Sequence, residues 1–257
     1  MACRSFNVGA VKARIYPTAQ ALGRAAAECA ADALREMAAR RDALGILFAT
    51  GASQIEMLHA LTSIPDLPWK KVHGFHMDEY VGIEGNHPAS FRRYLRDNLT
   101  SRVWMAAFHE IDGSASDLDR VRREYVEKLR ATDPQICLLG IGENGHLAFN
   151  DPDEADFADP EPMKVVSLDR ACREQQVAEG WFPSFDQVSE RALTLTIPTL
   201  LQVPKLIASV PGKRKAGIMR RALSDDLSTE CPATILRTHP DVTIFLDEDS
   251  ASELDRA

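Results

Sequence analysis

QICLLG (Gln135–Gly140) runs into GIGENGHLAFNDP (Gly140–Pro152), and the fold turns on what this second segment does. Gly140, Gly142 and Gly145 have the G-x-G-x-x-G spacing of a dinucleotide-binding turn, and Asp169 stands near the place of that motif's ribose-binding acid. The motif also needs a long helix that starts at its glycines and points its N-terminus at the pyrophosphate. Here Pro152, Pro160 and Pro162 follow, with six acidic residues between Asp151 and Pro162. Proline inside a helix costs about 3 kcal/mol. The segment therefore reads as a loop after a buried strand, and no cofactor is expected in it. What it offers instead is the imidazole of His146, which shuttles protons near neutrality once a carboxylate fixes its tautomer. Asp151 is the candidate partner. Metal ligands at a usable spacing are absent, so no metal site is expected.

Working outward, the chain alternates between short apolar runs and amphipathic segments. Leu22, Ala26, Cys29, Ala33 and Met37 mark a helix over Ala19–Arg40, with Thr18 placed to cap it. ILFA (Ile46–Ala49), TGAS and QIEMLHALTSI read as strand, tight loop and helix. KKVHGFHM reads as the next strand, and NHPASFRRYLRDNL as a helix with proline in its first turn. Ser114–Arg130 is amphipathic through Leu118, Val121, Tyr125 and Leu129, and leads into QICLLG. MKVVSL, a helical segment from about Asp169, ALTLTIP, KLIASV, the helix KRKAGIMRRAL and VTIFLD complete the series. Such alternation predicts an α/β fold with a mostly parallel sheet covered by helices on both faces. Ligands of such sheets bind at the carboxyl ends of the strands. Four loops follow strands in this way and are expected to share one rim: TGAS, MDEY, GENGH and PGKRK.

Thr50, Gly51, Ala52 and Ser53 form a small-residue loop that exposes backbone N–H groups and two hydroxyls, which suits a phosphate monoester. An ordinary strand-to-helix turn capped by Ser53 is the alternative. No Gly-Lys-Ser/Thr ending is present, which disfavours a nucleoside triphosphate. Lys215, after PG, can supply a mobile positive charge for the same anion or be a solvated surface lysine. Asp78, followed by Glu79, ends an apolar strand; withdrawn from water it can act as a general base, and left at a turn it is a capping residue.

Composition narrows the class. The 257 residues suit one α/β domain over 1–257, with a lid candidate within about 151–190. Thirty basic against thirty-eight acidic residues, with no basic stripe, make nucleic acid an unexpected partner. The opening MACRSFNVGAVKARIYP has no apolar signal region, and no window nears the roughly 18 apolar residues of a membrane span, so a cytoplasmic protein is expected. Five cysteines without CxxC spacing read as reduced thiols.

GFHMDEYVGI with HPASF, together with GIGENGHLAFNDP, resembles the glucosamine-6-phosphate deaminases (isomerases), in order from about Val11 to Leu246. The related 6-phosphogluconolactonases share the fold and a GxGxDGH loop, but their acidic motif continues Asp-Glu-Arg where this chain has Asp78-Glu79-Tyr80. The resemblance implies a Rossmann-like three-layer sandwich and a cofactor-free reaction on a small-molecule sugar phosphate. In that reaction glucosamine 6-phosphate and water give fructose 6-phosphate and ammonia. It further implies that Asp78 carries a proton between C2 and C1, that His146 assists ring opening, and that Asn144 and Asp151 support His146. Thr50–Ser53 and Lys215 fall where the family holds phosphate. Asp151 stands where one branch has Glu. An expected phosphate-clamping arginine aligns with Gln175 or Gln176, leaving Arg173 as the substitute. A lactone hydrolase and a non-catalytic sugar-phosphate sensor are the alternatives, and a homo-oligomer is left open.

Overall fold

The computed structural model describes residues 4–168, 170–178 and 180–254, without the side chains of residues 171 and 175. Cys3, Asp169 and the side chain of Gln175 thus lie outside the described residues.

The chain opens with an antiparallel hairpin, β1 (Arg4–Val8) and β2 (Val11–Tyr16). Helix α1 (Ala19–Ala38) follows with the expected cap: the Thr18 hydroxyl accepts from Ala21 N at 3.2 Å. Next come β3 (Leu44–Phe48), α2 (Ile55–Ser63), β4 (Val72–His76), β5 (Asp78–Tyr80), α3 (Phe91–Leu95) and β6 (Ala107–His109). The central region holds α4 (Leu118–Thr132), β7 (Pro134–Leu139), β8 (Met163–Ser167) and α5 (Arg170–Ala178). The chain then adds β9 (Arg191–Leu195), α6 (Ile197–Leu201), β10 (Lys205–Val210), α7 (Ala216–Ser224) and β11 (Val242–Asp247).

Eight strands form the main sheet in the order β1-β2-β11-β10-β7-β3-β4-β6, and every neighbouring pair except β1–β2 is parallel. Both faces are covered, as a continuous apolar run such as QICLL requires. Ile136 and Leu138 pack into the cluster built by α1 and α2, whereas Cys137 and Leu139 join the opposite cluster with α4 and α7. The expected three-layer α/β sandwich is the fold of this chain. Among the described residues no helix is long and apolar enough to cross a membrane, and Cys29, Cys137, Cys172 and Cys231 are free thiols.

Three expectations need correction. MKVVSL and ALTLTIP do not extend the parallel sheet: β8 and β9 pair antiparallel with each other, and β9 pairs with β5, in a separate three-stranded sheet. Side-chain alternation explains why, because Leu193, Leu195 and Met163 face the main core while Tyr80, Val166 and Ala192 face a third cluster around Phe149 and Phe182. The helix sought around Pro88 starts only at Phe91, and the one sought from Ser114 starts at Leu118, where Asp117 caps Arg120 N at 2.9 Å. Strands β1, β2 and β6 carry no pattern strong enough to have been read.

The start of α3 is fixed from outside. The fully buried Glu79 carboxylate accepts from Phe91 N, Arg92 N, Ser90 Oγ, Tyr80 N and Arg92 Nε, at 2.8–3.3 Å. Arg92, itself buried, continues to Asp112 at 2.9 Å and Ile83 O at 2.9 Å. Removing the Glu79 carboxylate takes one of the two carboxylate partners of Arg92 and leaves Ser90 Oγ and the N–H groups of Tyr80, Phe91 and Arg92 without their acceptor. Glu79→Ala is therefore expected to cost about 3–5 kcal/mol in urea unfolding, and a loss below about 1 kcal/mol would show that the network is dispensable.

Candidate active site

The carboxyl ends of β10, β7, β3 and β4 lie side by side in the sheet, so the four loops that follow them meet. Together they line a cavity of about 610 Å³. Thr50–Ser53, Met77 and Asp78, Gly140–Glu143 and His146, and Pro211–Lys215 all face it. The far wall is Phe91, Phe149, Gln176 and Trp181. Asn144 and Asp151 stand behind His146, and of the site candidates only Arg173 is directed elsewhere.

The loop after β7 is built around its histidine. Gly145 N donates to Gly142 O at 3.1 Å and Gly142 N to His146 O at 3.0 Å, closing a turn that holds Gly145 at φ +90°, where glycine is the unstrained residue. A Cβ on Gly142 would lie 2.4 Å from three atoms of the His146 ring, so the imidazole rests flat on that glycine's backbone. His146 Nδ1 sits 2.7 Å from Asp151 Oδ1. Asn144 completes the brace: its Nδ2 donates to Asp151 Oδ1 at 2.8 Å and its Oδ1 accepts from His146 N at 3.1 Å. Burial pushes the Asp151 carboxyl up, but the His146 hydrogen bond and charge, with the Asn144 bond, bring it below the ordinary aspartate value. An ionised Asp151 demands the proton on Nδ1, and a neutral ring then carries its lone pair on Nε2. Asn150 ties the end of this loop to β9, donating to Leu195 O at 2.8 Å. Phe149 N donates to Thr194 Oγ1 at 3.1 Å beside it.

Asp78 is neither a turn nor a cap. It lies in β5 directly opposite Thr194, buried, and no hydrogen bond from the described residues reaches its carboxyl. Burial raises its pKa well above the ordinary value, and the charges of Glu79 and Asp151 raise it further. Its backbone is braced by His76, which is fully buried and held to a pKa of about 3, chiefly by burial. The neutral ring donates from Nδ1 to Asp78 O at 2.8 Å and accepts at Nε2 from Ile111 N at 2.7 Å. Both bonds are satisfied by one tautomer only.

The loops after β3 and β10 share one conformation. Gly51 (φ +98°) and Gly212 (φ +94°) each precede a single 3-10 turn, and these turns run on into α2 and α7. In the first loop the N–H groups of Ala52 and Ser53 have no acceptor among the described residues. Ser53 does not cap α2; its hydroxyl accepts from Gln54 Nε2 at 2.9 Å. In the second, both oxygens of the buried Asp247 accept from Gly212 N at 3.0 Å, which holds the loop carrying Lys215. Arg173 is not brought to this cavity. Its guanidinium donates to Phe185 O at 3.2 Å and Val188 O at 3.0 Å, and stacks 4.1 Å from the Phe185 ring centre. At the wall on that side stands Gln176, whose Oε1 accepts from Tyr80 OH at 2.7 Å. His76, Gln54, Asp247 and Trp181 join the site in addition to the candidates of the sequence. Only Asp247 had a signal, an acid at the end of the apolar run VTIFL.

This geometry meets close parallels among known proteins. The family model described as glucosamine-6-phosphate isomerases/6-phosphogluconolactonase matches residues 17–245. Glucosamine-6-phosphate deaminase 1 of Bacillus subtilis (strain 168) is 34% identical over 244 residues, covering 91% of this chain and 96% of the relative. Glucosamine-6-phosphate deaminase of Geobacillus sp. (strain WCH70) is 34% identical over 189 residues, 72% of each chain. Among solved structures, a monomeric glucosamine-6-phosphate deaminase superposes with TM-score 0.84 at 29% identity, covering 94% of this chain and 98% of its own. A 6-phosphogluconolactonase from Plasmodium vivax gives 0.76 at 13% identity, with 98% and 96% covered, which is a likeness of fold alone. With nearly its whole length matched, the chain belongs to the glucosamine-6-phosphate isomerase/6-phosphogluconolactonase family.

Proposed function

We propose that this protein is a glucosamine-6-phosphate deaminase, converting glucosamine 6-phosphate and water to fructose 6-phosphate and ammonia. The observation that carries the reading is the presence in one cavity of a buried carboxyl with a raised pKa, Asp78, and an imidazole whose tautomer is fixed, His146. The relatives' names support it.

In this reading Thr50–Ser53 and Lys215 hold the phosphate, with Ala52 N and Ser53 N as backbone donors. Arg173 has no part in it, because its guanidinium is bonded elsewhere. His146 Nε2 takes the proton of the sugar's O1 hydroxyl and returns it to the ring oxygen, opening the pyranose to an aldehyde at C1. Asp151 and Asn144 keep the ring oriented throughout. The C1 carbonyl acidifies the C2 proton, and Asp78, as carboxylate, removes it to give an enolamine. Asp78 then delivers the proton to C1, and O1 takes up the proton that the amino nitrogen gives up, leaving a hydroxyl at C1 and an imine at C2. Water adds there and ammonia departs. A carboxyl with a raised pKa suits both halves of this transfer, since it holds the proton long enough to return it. Lactone hydrolysis has no proton to move between carbons and makes no such demand. The chemistry calls for no cofactor. We also read residues 1–257 as one catalytic domain, with α5 and Trp181 as the cover within 151–190, and the free thiols as suited to the cytoplasm.

Ammonia release measured across glucosamine, galactosamine and N-acetylglucosamine 6-phosphates is expected to be fastest with glucosamine 6-phosphate. Faster hydrolysis of 6-phosphogluconolactone, or no ammonia from excess enzyme over hours, would overturn the assignment in favour of a lactonase or a sensor.

Asp78→Asn should lower turnover by about 10²–10⁴-fold and abolish solvent-deuterium incorporation at C1 of the fructose 6-phosphate formed. Full turnover in this variant would remove Asp78 from the proton path.

The same substitution has an opposite effect on stability. Because the folded-state pKa of Asp78 is raised, the stability contributed by its protonated form is complete below the ordinary aspartate value and lost as pH rises through the raised one. Asp78→Asn should therefore melt above the parent protein at about pH 8, with the gap narrowing towards about pH 5. A gap that does not vary with pH would mean that burial does not raise the pKa of this carboxyl.

A further inference from the structure

We propose that Gln54 is a positioning residue that fixes the Ser53 hydroxyl as a donor aimed at the substrate's phosphate. This rests on Thr50–Ser53 being the phosphate loop. The Gln54 side chain is fully buried and leaves the β3 loop to reach β10. Strand β7 lies between those two, so the amide must pass under its end. Gly140 is that passage: a Cβ there would lie 2.9 Å from Gln54 Nε2.

The direction of the protons follows from chemistry. Gln54 Nε2 is 3.2 Å from Ser209 O, a backbone carbonyl that can only accept, so the nitrogen end of the amide must face it. One N–H is used there. The other points to Ser53 Oγ at 2.9 Å. Having accepted from the amide, the serine hydroxyl must send its single proton elsewhere, and Ser53 lines the cavity. A phosphate dianion consists of acceptors only, so a hydroxyl whose proton is directed into the cavity is matched to it. The opposite end of the amide supports this. Gln54 Oε1 is buried without a protein partner, which is destabilising, so the position favours an amide for its donors.

Gln54→Met keeps length and volume and removes both the donors and the unpartnered oxygen. It is expected to melt no lower than the parent, to raise KM for glucosamine 6-phosphate and the inhibition constant of inorganic phosphate about 10-fold, and to leave kcat within about twofold. In a Ser53→Ala background Gln54→Met should change neither constant further. Additive effects in the double variant, or no effect of Gln54→Met where Ser53→Ala alone raises KM, overturn the role of Gln54 and leave the phosphate loop standing. An unchanged KM in Ser53→Ala overturns the role of the Ser53 hydroxyl, and the proposal with it, while the backbone donors Ala52 N and Ser53 N leave the phosphate loop standing. Gln54→Glu gives a second reading, independent of how the methionine variant folds. Its carboxylate accepts the Ser53 proton, so inorganic phosphate should inhibit still more weakly, and unaltered inhibition counts against the proposal.

Discussion

Withdrawing a carboxyl from water makes its ionised form expensive, and around Asp78 two further acids, Glu79 and Asp151, add their own charge. Both neighbours have partners that favour the ionised form: they bring Asp151 below the ordinary aspartate value, while at Glu79 burial outweighs them and its pKa is raised. Glu79 accepts five hydrogen bonds, one of them from the guanidinium of the buried Arg92; Asp151 accepts from Asn144 and pairs with His146. Of the three, Asp78 alone has no hydrogen bond to its carboxyl from the described residues, so nothing offsets the cost of its burial. The buried His76 contributes by remaining neutral: it steadies the backbone of Asp78 without bringing a positive charge that would pull the carboxyl back down.

The three glycines that imitate a dinucleotide turn each have a different task. Gly140 lets the Gln54 amide pass, Gly142 provides a flat seat for the imidazole, and Gly145 takes the positive φ that closes the loop. None faces a pyrophosphate at the start of a long helix. A shared spacing thus reflects two unrelated reasons for lacking a side chain, close packing in one fold and backbone approach to a ligand in another.

The sequence made legible whatever depends on local order. Apolar runs ending in polar loops marked β3, β4, β7 and β10, and so brought Ser53, Asp78, His146 and Lys215 to one rim; five residues of separation made Asp151 a partner for His146. What depends on the lateral order of strands was hidden. Gln54 matters because β10 lies two strands from β3, and nothing in TGASQ records that. The three-residue β5 has too few positions for any period, so the second sheet could not be read from it. Arg173 was placed within a helical turn of the aligned position, but distance along a helix does not say which face is meant.

The small sheet also serves as a reference point. Asp78 stands opposite Thr194 in the β5–β9 register, and the segment running on from His146 bonds to the same strand, through Phe149 N to Thr194 Oγ1 and Asn150 to Leu195 O. The acid lies in β5 itself and the imidazole in the loop after β7, yet both segments are tied to the same strand, β9. Strand β9 is thus the element that joins the acid's segment to the imidazole's segment outside the main sheet.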